Sequence, residues 1–369
     1  MDFLRGFAAL LVCINHLTNF LFLPLKSIKE PSVLDKVFCF LTQFGHQAVL
    51  LFFVLSGYLV GGSVIKSFQL QRWSWRDYLL RRMTRLWVVL IPALLLTLFW
   101  DSIGEHLNPA GYQGDFHQLY GSGPATGSPV SLGGITLLGN LFFLQTICLP
   151  VYGSNSPLWS IANEFWYYLL FPLLISVFLI RGVIWKVVSM LLAVAILLFL
   201  PRNIICQGFA WVLGAAIFPL QQKRWATRWF MSPLFLYGSI ALVSMILVIS
   251  RMGGLGSFFD PVLGLSFVPL VAACSVRTGS HGIYSKLSAA ASEFSYTLYL
   301  VHFPLMACLF FSFMPGRQWS LSLFSLGLFA SALFLVILYS IAIWWCFESK
   351  TDSIRKFMEK RFFKRNTPP

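Results

Sequence analysis

Charged residues are scarce in this sequence. Aspartate, glutamate, lysine and arginine make up 11% of the 369 residues, whereas soluble domains carry roughly 25%. Hydrophobic residues account for 57%, and the mean hydropathy is +0.75. A soluble fold of this length would leave much of that apolar surface in water. The composition therefore argues against a soluble protein and predicts one all-α, polytopic bundle of membrane-spanning helices.

Cysteine motifs are also absent. The seven cysteines are scattered, none forms a CxxC pair, and most lie inside apolar runs, where cysteine behaves as a small hydrophobic residue. The sequence has no P-loop, no GxSxG and no HExxH motif. These absences weaken the disulfide and zinc hypotheses. We expect no metal ion and no bound cofactor.

Ten apolar runs have the composition of transmembrane helices. They lie at 4–24, 41–65, 79–100, 158–180, 183–200, 204–220, 232–250, 260–276, 292–312 and 322–346. The first is predicted to be a span, since it has no small-residue cleavage site of a signal peptide. The segment 134–148 is shorter and contains Asn140 and Gln145. It is predicted to be a re-entrant or interfacial helix, with an eleventh span as the alternative.

The distribution of positive charge predicts the orientation. The net charge is +14, and with ten spans 21 of the 27 lysines and arginines fall on the side of the N-terminus. An eleventh span at 134–148 would largely abolish this bias, so we place that segment as non-spanning. The positive-inside rule then puts both termini in the cytoplasm. Basic residues between spans indicate contact with anionic membrane lipid and not with nucleic acid.

Two further segments lie outside the predicted spans. The outward stretch 101–131 has no lysine or arginine but six glycines, and a connection of this length is usually functional or disordered. Its acidic residues and histidines are Asp101, Glu105, His106, Asp115 and His117. The basic tail 350–369 is predicted to anchor at the membrane surface, after a transmembrane domain at 1–349. Gly57 and Gly61 have the spacing of close helix packing.

Two ionisable residues share the first span. Arg5 and His16 are eleven residues apart, which places them on one face and about 16 Å apart along the axis. Ionisable groups at membrane depth favour a functional role. The alternative is that Arg5 is a positive-inside anchor and His16 a packing histidine.

Other candidates lie in later spans. His302 is near the middle of its span, with Ser295 and Tyr299 on the same face. Glu164 lies near the outer end of its span, with Tyr168 on its face. The alternatives are a histidine bonded to a neighbouring helix, and a structural salt bridge between Glu164 and an arginine of another span.

Arg82 and Arg85 share one face where the third span begins. Arginine side chains suit phosphate groups, because the planar guanidinium donates paired hydrogen bonds. From these residues alone, ordinary positive-inside anchoring is the favoured interpretation.

Five segments together resemble the acyltransferase 3 family of bacterial membrane acyltransferases, over roughly 1–349. They are DFLRGFAALLVCINH with Arg5 and His16, GHQAVLLFFVLSGYLVGG, RRMTRLW with Arg82 and Arg85, SPLWSIANEFWYYLLFP with Trp159, Glu164 and Tyr168, and SEFSYTLYLVHFPL with Ser295, Tyr299 and His302. No single motif is decisive, but their order is specific. The sequence departs from the family at the end of the last span, where Ser349 and Lys350 follow Glu348 in place of Glu-x-Pro.

The resemblance implies an O-acyltransferase of the bacterial inner membrane. It implies acyl-CoA as donor, most often acetyl-CoA, and a hydroxyl of an envelope glycan or lipid-linked sugar as acceptor. Arg5, Arg82 and Arg85 would then meet the CoA phosphates. His16 is the candidate general base or acyl carrier, because its reference pKa is near 6.5, and His302 would orient it or stabilise an oxyanion.

Three alternatives stay open. One is a flippase or transporter of a lipid-linked sugar, which would use the same buried polar groups as a pathway. Another is the same chemistry on a lipid or small-molecule acceptor. The third is a membrane scaffold, for which His16→Ala would change no activity. Glu164, Tyr168, Trp159, Ser295 and Tyr299 are placed on the acceptor side or in structural roles.

Overall fold

The structure is a computed structural model that describes residues 1–123, 130–251, 259–277 and 282–362. In these ranges the chain forms α-helices with short π and 3-10 segments, and no named strand occurs there. The helices are α1 Asp2–Leu21, α2 Val33–Thr42, α3 Gly45–Ser56, α4 Gly62–Gln69, α5 Trp75–Leu107, α6 Pro109–Tyr112, α7 His117–Tyr120, α8 Gly134–Leu141, α9 Leu158–Leu179, α10 Val183–Phe199, α11 Arg202–Gln221, α12 Arg224–Met231, α13 Pro233–Arg251, α14 Phe259–Ser275, α15 Ile283–Glu293, α16 Ser295–Phe313, α17 Leu323–Cys346 and α18 Thr351–Phe362.

The helices support a membrane protein. Eight helical stretches of the described chain are long and apolar enough to cross a bilayer by length and composition. Two shorter apolar helices, Val183–Phe199 and Asp260–Ser275, coincide with the other two predicted spans. The all-α membrane class is confirmed, while the count of ten spans and the orientation of the termini stay predictions.

The chain divides into two compact units. The first comprises Met1–Ala8, His46–Trp73 and Ser160–Ala289. Inside it, α3 continues through a π segment, Gly57–Gly61, into α4, and this segment packs on α11. A Cβ added at Gly57 would overlap the Trp211 carbonyl oxygen, and one at Gly61 would press on Ala215. Close helix packing at these two glycines is therefore confirmed.

The second unit comprises Ala9–Gly45, Ser74–Trp159 and Ala290–Pro369. Its centre is α16, which is almost entirely buried and packs mainly against α5 and α17. The helix α16 carries apolar side chains on all of its faces, which is the pattern of a helix inside a bundle. The candidate histidine His302 lies in the middle of α16.

The outward stretch 101–131 is partly helical. The helix α5 continues beyond the predicted span end to Leu107 and is followed by α6 and α7. Asn108 donates to the Phe311 carbonyl at 2.7 Å, and Tyr120 donates to the Met314 carbonyl at 2.9 Å. These bonds hold the described part of the stretch against the end of α16.

The segment 134–148 forms the short helix α8, as predicted. Its eight residues rise about 12 Å, well short of the roughly 30 Å hydrocarbon core. Asn140 and Gln145 are fully buried. Asn140 donates to Thr136 and Pro150 carbonyls and accepts from the Tyr152 amide, and Gln145 donates to the Leu158 carbonyl. The hydrogen bonds of these two side chains therefore hold the segment that follows α8 in place.

The start of the basic tail is also helical. The helix α18 packs on α5, where the Thr84 hydroxyl approaches the Met358 sulfur at 3.9 Å. Lys356, Lys360 and Arg361 are exposed on it. The rest of the tail, 363–369, lies outside the described residues, and the membrane-anchoring role stays a prediction.

Candidate functional site

Two histidines meet in the second unit. His16 comes from α1 and His302 from α16, and their ring centroids are 5.5 Å apart with the planes tilted by 36°. His302 is fully buried, whereas His16 is partly exposed. The predicted convergence of the two rings is therefore confirmed. Of the two residues, His16 is the more exposed.

The tautomer of His302 follows from its hydrogen bond. Its Nδ1 lies 2.8 Å from the Leu298 carbonyl oxygen, one turn earlier in α16. A carbonyl oxygen only accepts, so Nδ1 carries the proton and, in the neutral ring, Nε2 presents a lone pair. Among the described residues, Nε2 has no hydrogen-bond partner. Neither nitrogen of a neutral His302 is thus available as a donor to a developing oxyanion.

A proline two residues after His302 leaves one backbone carbonyl of α16 without its helical hydrogen bond. Pro304 has no N–H, so the Leu300 carbonyl loses its helical donor. The Asn155 amide supplies a replacement at 3.0 Å and also donates to the Thr97 hydroxyl at 3.0 Å. The side chain of one buried asparagine therefore ties α16 to α5 beside His302.

The loop that carries Asn155 is fixed by a buried carboxylate. Asp101 on α5 is fully buried and accepts from the Ser154 amide at 2.6 Å and from its hydroxyl at 2.7 Å. Gly153 has φ +59°, and a Cβ there would overlap the Asp101 carboxylate. Asp101, first noted as a residue of the outward stretch, is thus a structural group inside α5.

The surroundings of His16 include residues that the sequence did not indicate. Its Nδ1 lies 3.4 Å from the Ser122 hydroxyl, and Asn19 donates to the same hydroxyl at 3.2 Å. The Phe303 ring stands edge-on to His16, with centroids 4.9 Å apart. Asn19 lies one turn after His16, so helical spacing was a signal for it. Ser122 is 106 residues away and gave none.

Arg85 has a carboxylate partner. Its guanidinium lies 2.5 Å from Glu348, which is 4% exposed. Glu348 also accepts from the Thr297 amide at 3.1 Å and from its hydroxyl at 2.5 Å, in the first turn of α16. The guanidinium stacks over the Tyr296 ring at 5.2 Å. The ion pair therefore fixes the start of the helix that carries His302.

Arg82 and Arg5 are the other two candidate arginines. Arg82 lies over the Tyr78 ring at 5.6 Å and is partly exposed. Arg5 is partly exposed near the start of α1, three turns before His16. The role of these arginines in binding acyl-CoA stays a prediction, and a phosphate at Arg85 would have to share its guanidinium with Glu348.

Glu164 belongs to the first unit. Its carboxylate accepts from the Ser56 hydroxyl at 2.6 Å and from the Tyr168 hydroxyl at 2.5 Å. The Trp211 indole donates to Ser56 at 3.1 Å. In the described part of the chain, Glu164 forms no ion pair, so the alternative of a structural salt bridge has no support there.

A second polar cluster of the first unit was not predicted. His46 lies 2.7 Å from Asp260, Gln207 donates to Asp260 at 3.4 Å, and Asn163 donates to Gln207 at 2.8 Å. Asn163 precedes Glu164 in the sequence. The residues come from four helices, so no local spacing could have indicated the cluster.

The remaining predicted site residues have mixed surroundings. Ser295 is buried and its hydroxyl donates to the Ser292 carbonyl at 2.7 Å. Tyr299 is buried with its ring 6.4 Å from His302. Trp159 is partly exposed in the first turn of α9. In the described ranges, no group of three or more histidine, cysteine, aspartate and glutamate side chains is suited to hold a metal ion.

Comparison with protein families gives a match over most of the chain. The sequence model of the acyltransferase 3 family, described as an acyltransferase domain, matches residues 1–347. Neither a curated protein nor a solved structure matches the chain significantly. The match covers both histidines, all three candidate arginines and Glu164.

Proposed function

The chain belongs to the acyltransferase 3 family and is a membrane acyltransferase, and on that premise we propose that it acylates a hydroxyl of a cell-envelope glycan or glycolipid. The donor is cytoplasmic acyl-CoA, with acetyl-CoA first among the candidates. The observation that carries the proposal is the partly exposed His16 ring beside the buried His302 ring, 5.5 Å away. The site lies in the bacterial inner membrane, with both termini cytoplasmic.

His16 is the proposed general base. A neutral imidazole nitrogen takes the proton of the acceptor hydroxyl while that oxygen attacks the thioester carbonyl carbon. The tetrahedral intermediate then loses the CoA thiolate as the carbon–sulfur bond breaks, and the proton passes from His16 to the sulfur. The products are an ester and free CoA. The alternative route forms an acyl-histidine intermediate on His16 before the acceptor enters.

His302 is proposed to position His16 and not to touch the substrate. It is fully buried, and its Nδ1 proton is committed to the Leu298 carbonyl. Of its two predicted roles, orientation fits these contacts and oxyanion stabilisation does not. Ser122 and Asn19 would hold the Nδ1 side of His16, so that the other ring nitrogen faces the substrate.

The donor and acceptor use different groups. Arg5 and Arg82, with Arg85 held by Glu348, are proposed to bind the CoA phosphates on the cytoplasmic side. Glu164 and Tyr168, in the first unit, are proposed to bind acceptor hydroxyls on the outer side, since a carboxylate that already accepts from two hydroxyls can accept from a sugar.

The proposal is tested by following a labelled acyl group. Inside-out vesicles holding native glycan precursors receive acetyl-CoA labelled in the acetyl group, with succinyl-CoA run beside it. We expect label in the glycan fraction with wild type and with the control His106→Ala, an exposed histidine outside the site, and none with His16→Ala. Label found only in phospholipid or in a small molecule would show that the acceptor belongs to that class and is not an envelope glycan. Sugar movement without CoA release would favour a flippase.

A further inference from the structure

The short helix α12 separates three kinds of side chain. It connects α11 to α13, two apolar helices long enough to cross a membrane, and therefore lies at the membrane boundary. Ala226 and Phe230 are buried, whereas Trp225 and Trp229 are each 63% exposed. Tryptophan is the residue typical of the membrane–water interface. The helix thus presents indoles where lipid headgroups lie.

A third face of α12 lines a cleft. Positions 224, 227, 228 and 231 have the spacing of a single helix face. Together with the end of α11 they border an open cleft of about 260 Å³, whose lining residues are Gln221, Gln222, Arg224, Thr227, Arg228 and Met231. The cleft therefore carries two arginines and lies beside an indole face.

The polar wall of the cleft is held in place by hydrogen bonds within the first unit. The Gln221 amide accepts from the Tyr58 hydroxyl at 3.1 Å and donates to Ser275. Gln222 and Gln69 exchange two amide hydrogen bonds, at 3.2 and 2.9 Å. The Thr227 hydroxyl donates to the Gln221 carbonyl at 2.8 Å. The wall is thus formed before any ligand binds.

The far end of α12 is fixed by a different arginine. Arg277 donates to the carbonyls of Phe230, Met231 and Ser232 at 2.7, 3.0 and 2.9 Å. These are the orphan carbonyls of a helix C-terminus, which favour a cation. Arg277 therefore orients α12 and leaves Arg224 and Arg228 as the cations that face the cleft.

In the described part of the chain, the two cleft arginines have no acidic partner. No aspartate or glutamate occurs between Phe165 and Phe259. Among the described residues, neither Arg224 nor Arg228 forms an ion pair, although both are exposed. Two arginines one helical turn apart at an open cleft suit a phosphate ester. A volume of about 260 Å³ accommodates a headgroup phosphate and is small for a whole nucleotide.

We infer that the cleft between α11 and α12 binds the phosphate of an anionic phospholipid, with Arg224 and Arg228 on the phosphate and Trp225 and Trp229 along the glycerol and upper acyl region. The predicted orientation places this cleft in the cytoplasmic leaflet, where anionic lipid attracts basic segments. The site lies wholly in the first unit and does not depend on the acyl-transfer chemistry.

The test measures lipid binding to the full-length protein in detergent. Dioctanoyl phosphatidylglycerol is titrated against wild type, Arg224→Gln/Arg228→Gln, and the control Arg181→Gln/Lys186→Gln, which removes two positive charges elsewhere on the same predicted side. Native mass spectrometry counts bound lipid, and thermal unfolding without lipid checks the fold. We expect the dissociation constant of the cleft variant to rise at least about tenfold and that of the control to stay within about twofold.

Three further binding measurements show whether the bound phosphate belongs to a lipid, to inorganic phosphate or to CoA. Dioctanoyl phosphatidylcholine, whose headgroup carries a compensating cation, is expected to bind the wild type more weakly. Trp225→Leu/Trp229→Leu is expected to weaken the anionic lipid but not inorganic phosphate. CoA is expected not to displace the lipid. Equal binding by the cleft variant, equal loss in the control variant, or displacement by CoA would each overturn the inference.

Discussion

In the unit that contains His16 and His302, the polar groups in contact with α16 are held largely by backbone atoms and by the Arg85–Glu348 ion pair. Leu298 and Leu300 carbonyls accept from His302 and Asn155, and Glu348 holds both Arg85 and the Thr297 amide. In the unit that contains Glu164, the polar groups around this carboxylate bond to it and to one another through side chains. Ser56 and Tyr168 donate to Glu164.

The difference separates two kinds of task. The His302 ring, bonded to the helix backbone, has one orientation, which suits a group that positions His16 for proton transfer. A hydrogen bond between two hydroxyl or amide side chains can be replaced by a hydrogen bond to a hydroxyl of the ligand. No buried polar group is then left unsatisfied. We therefore assign the chemical step to the histidine pair and acceptor binding to the Glu164 cluster.

Apart from the loss of His16 itself, the largest effect is expected from His302→Phe. This change keeps an aromatic ring beside His16 but removes the bond to Leu298, so the His16 ring loses its fixed neighbour. We expect kcat to fall by about a hundredfold with the KM for acyl-CoA unchanged. His302→Asn should recover part of the loss, because its amide can donate to the same carbonyl. Equal kcat in His302→Phe would show that the buried ring has only a packing role.

The Arg85–Glu348 pair is expected to have the next largest effect. Glu348→Gln leaves the 34%-exposed Arg85 without its carboxylate, so the cost is below that of a fully buried charge. We expect a loss of about 1–3 kcal/mol in unfolding free energy, measured by thermal unfolding in detergent. A double-mutant cycle with Arg85→Gln should show coupling between the two positions, and strict additivity would contradict a mutual contact.

Glu164→Gln tests the acceptor-binding role proposed for the other unit. The amide keeps one oxygen acceptor but loses the charge, so acceptor hydroxyls bind less well. We expect the KM for the isolated glycan acceptor to rise by about tenfold, with kcat within a few-fold. Glu293→Gln, an exposed glutamate, is the matched control. A fall in kcat alone would move Glu164 into the chemical step.

The smallest effect is expected from Ser122→Ala. The contact of Ser122 with His16 is long, at 3.4 Å, so its loss should cost about 0.5–1 kcal/mol. That corresponds to a fall in kcat of roughly two- to fivefold. Steady-state CoA release measures it. A loss as large as that of His302→Phe would show that Ser122, and not His302, is the principal support of His16.

Much of the membrane architecture could be predicted from local pattern. Each of the ten apolar runs coincides with an apolar helix, and the polar Asn140 and Gln145 correctly marked a segment too short to span. The pairing of His16 with His302 was a hypothesis that required two faces to converge, and they do. Periodicity places a residue on a face, but only packing decides which faces meet.

The missed features are contacts between distant residues. Glu348 was noted only as a departure from the family pattern, yet it holds Arg85, and Ser122 lies in a stretch noted for glycine and acidic residues. The extension of α5 to Leu107 was missed because Asp101 and Glu105 mark a polar boundary in the sequence. A buried carboxylate bonded to Ser154 is compatible with a helix interior, and only the fold shows that bond.

The most direct measurement is the single-turnover rate of CoA release from acetyl-CoA at saturating donor and acceptor. It compares wild type, His16→Ala, Glu164→Gln and the control His106→Ala at equal protein level in vesicles. The assignment predicts that His16→Ala slows release by about 10²–10⁴-fold, while the other two variants stay within a few-fold of wild type. An unchanged rate in His16→Ala, or a comparable collapse in Glu164→Gln, would contradict the placement of the chemistry at the histidine pair.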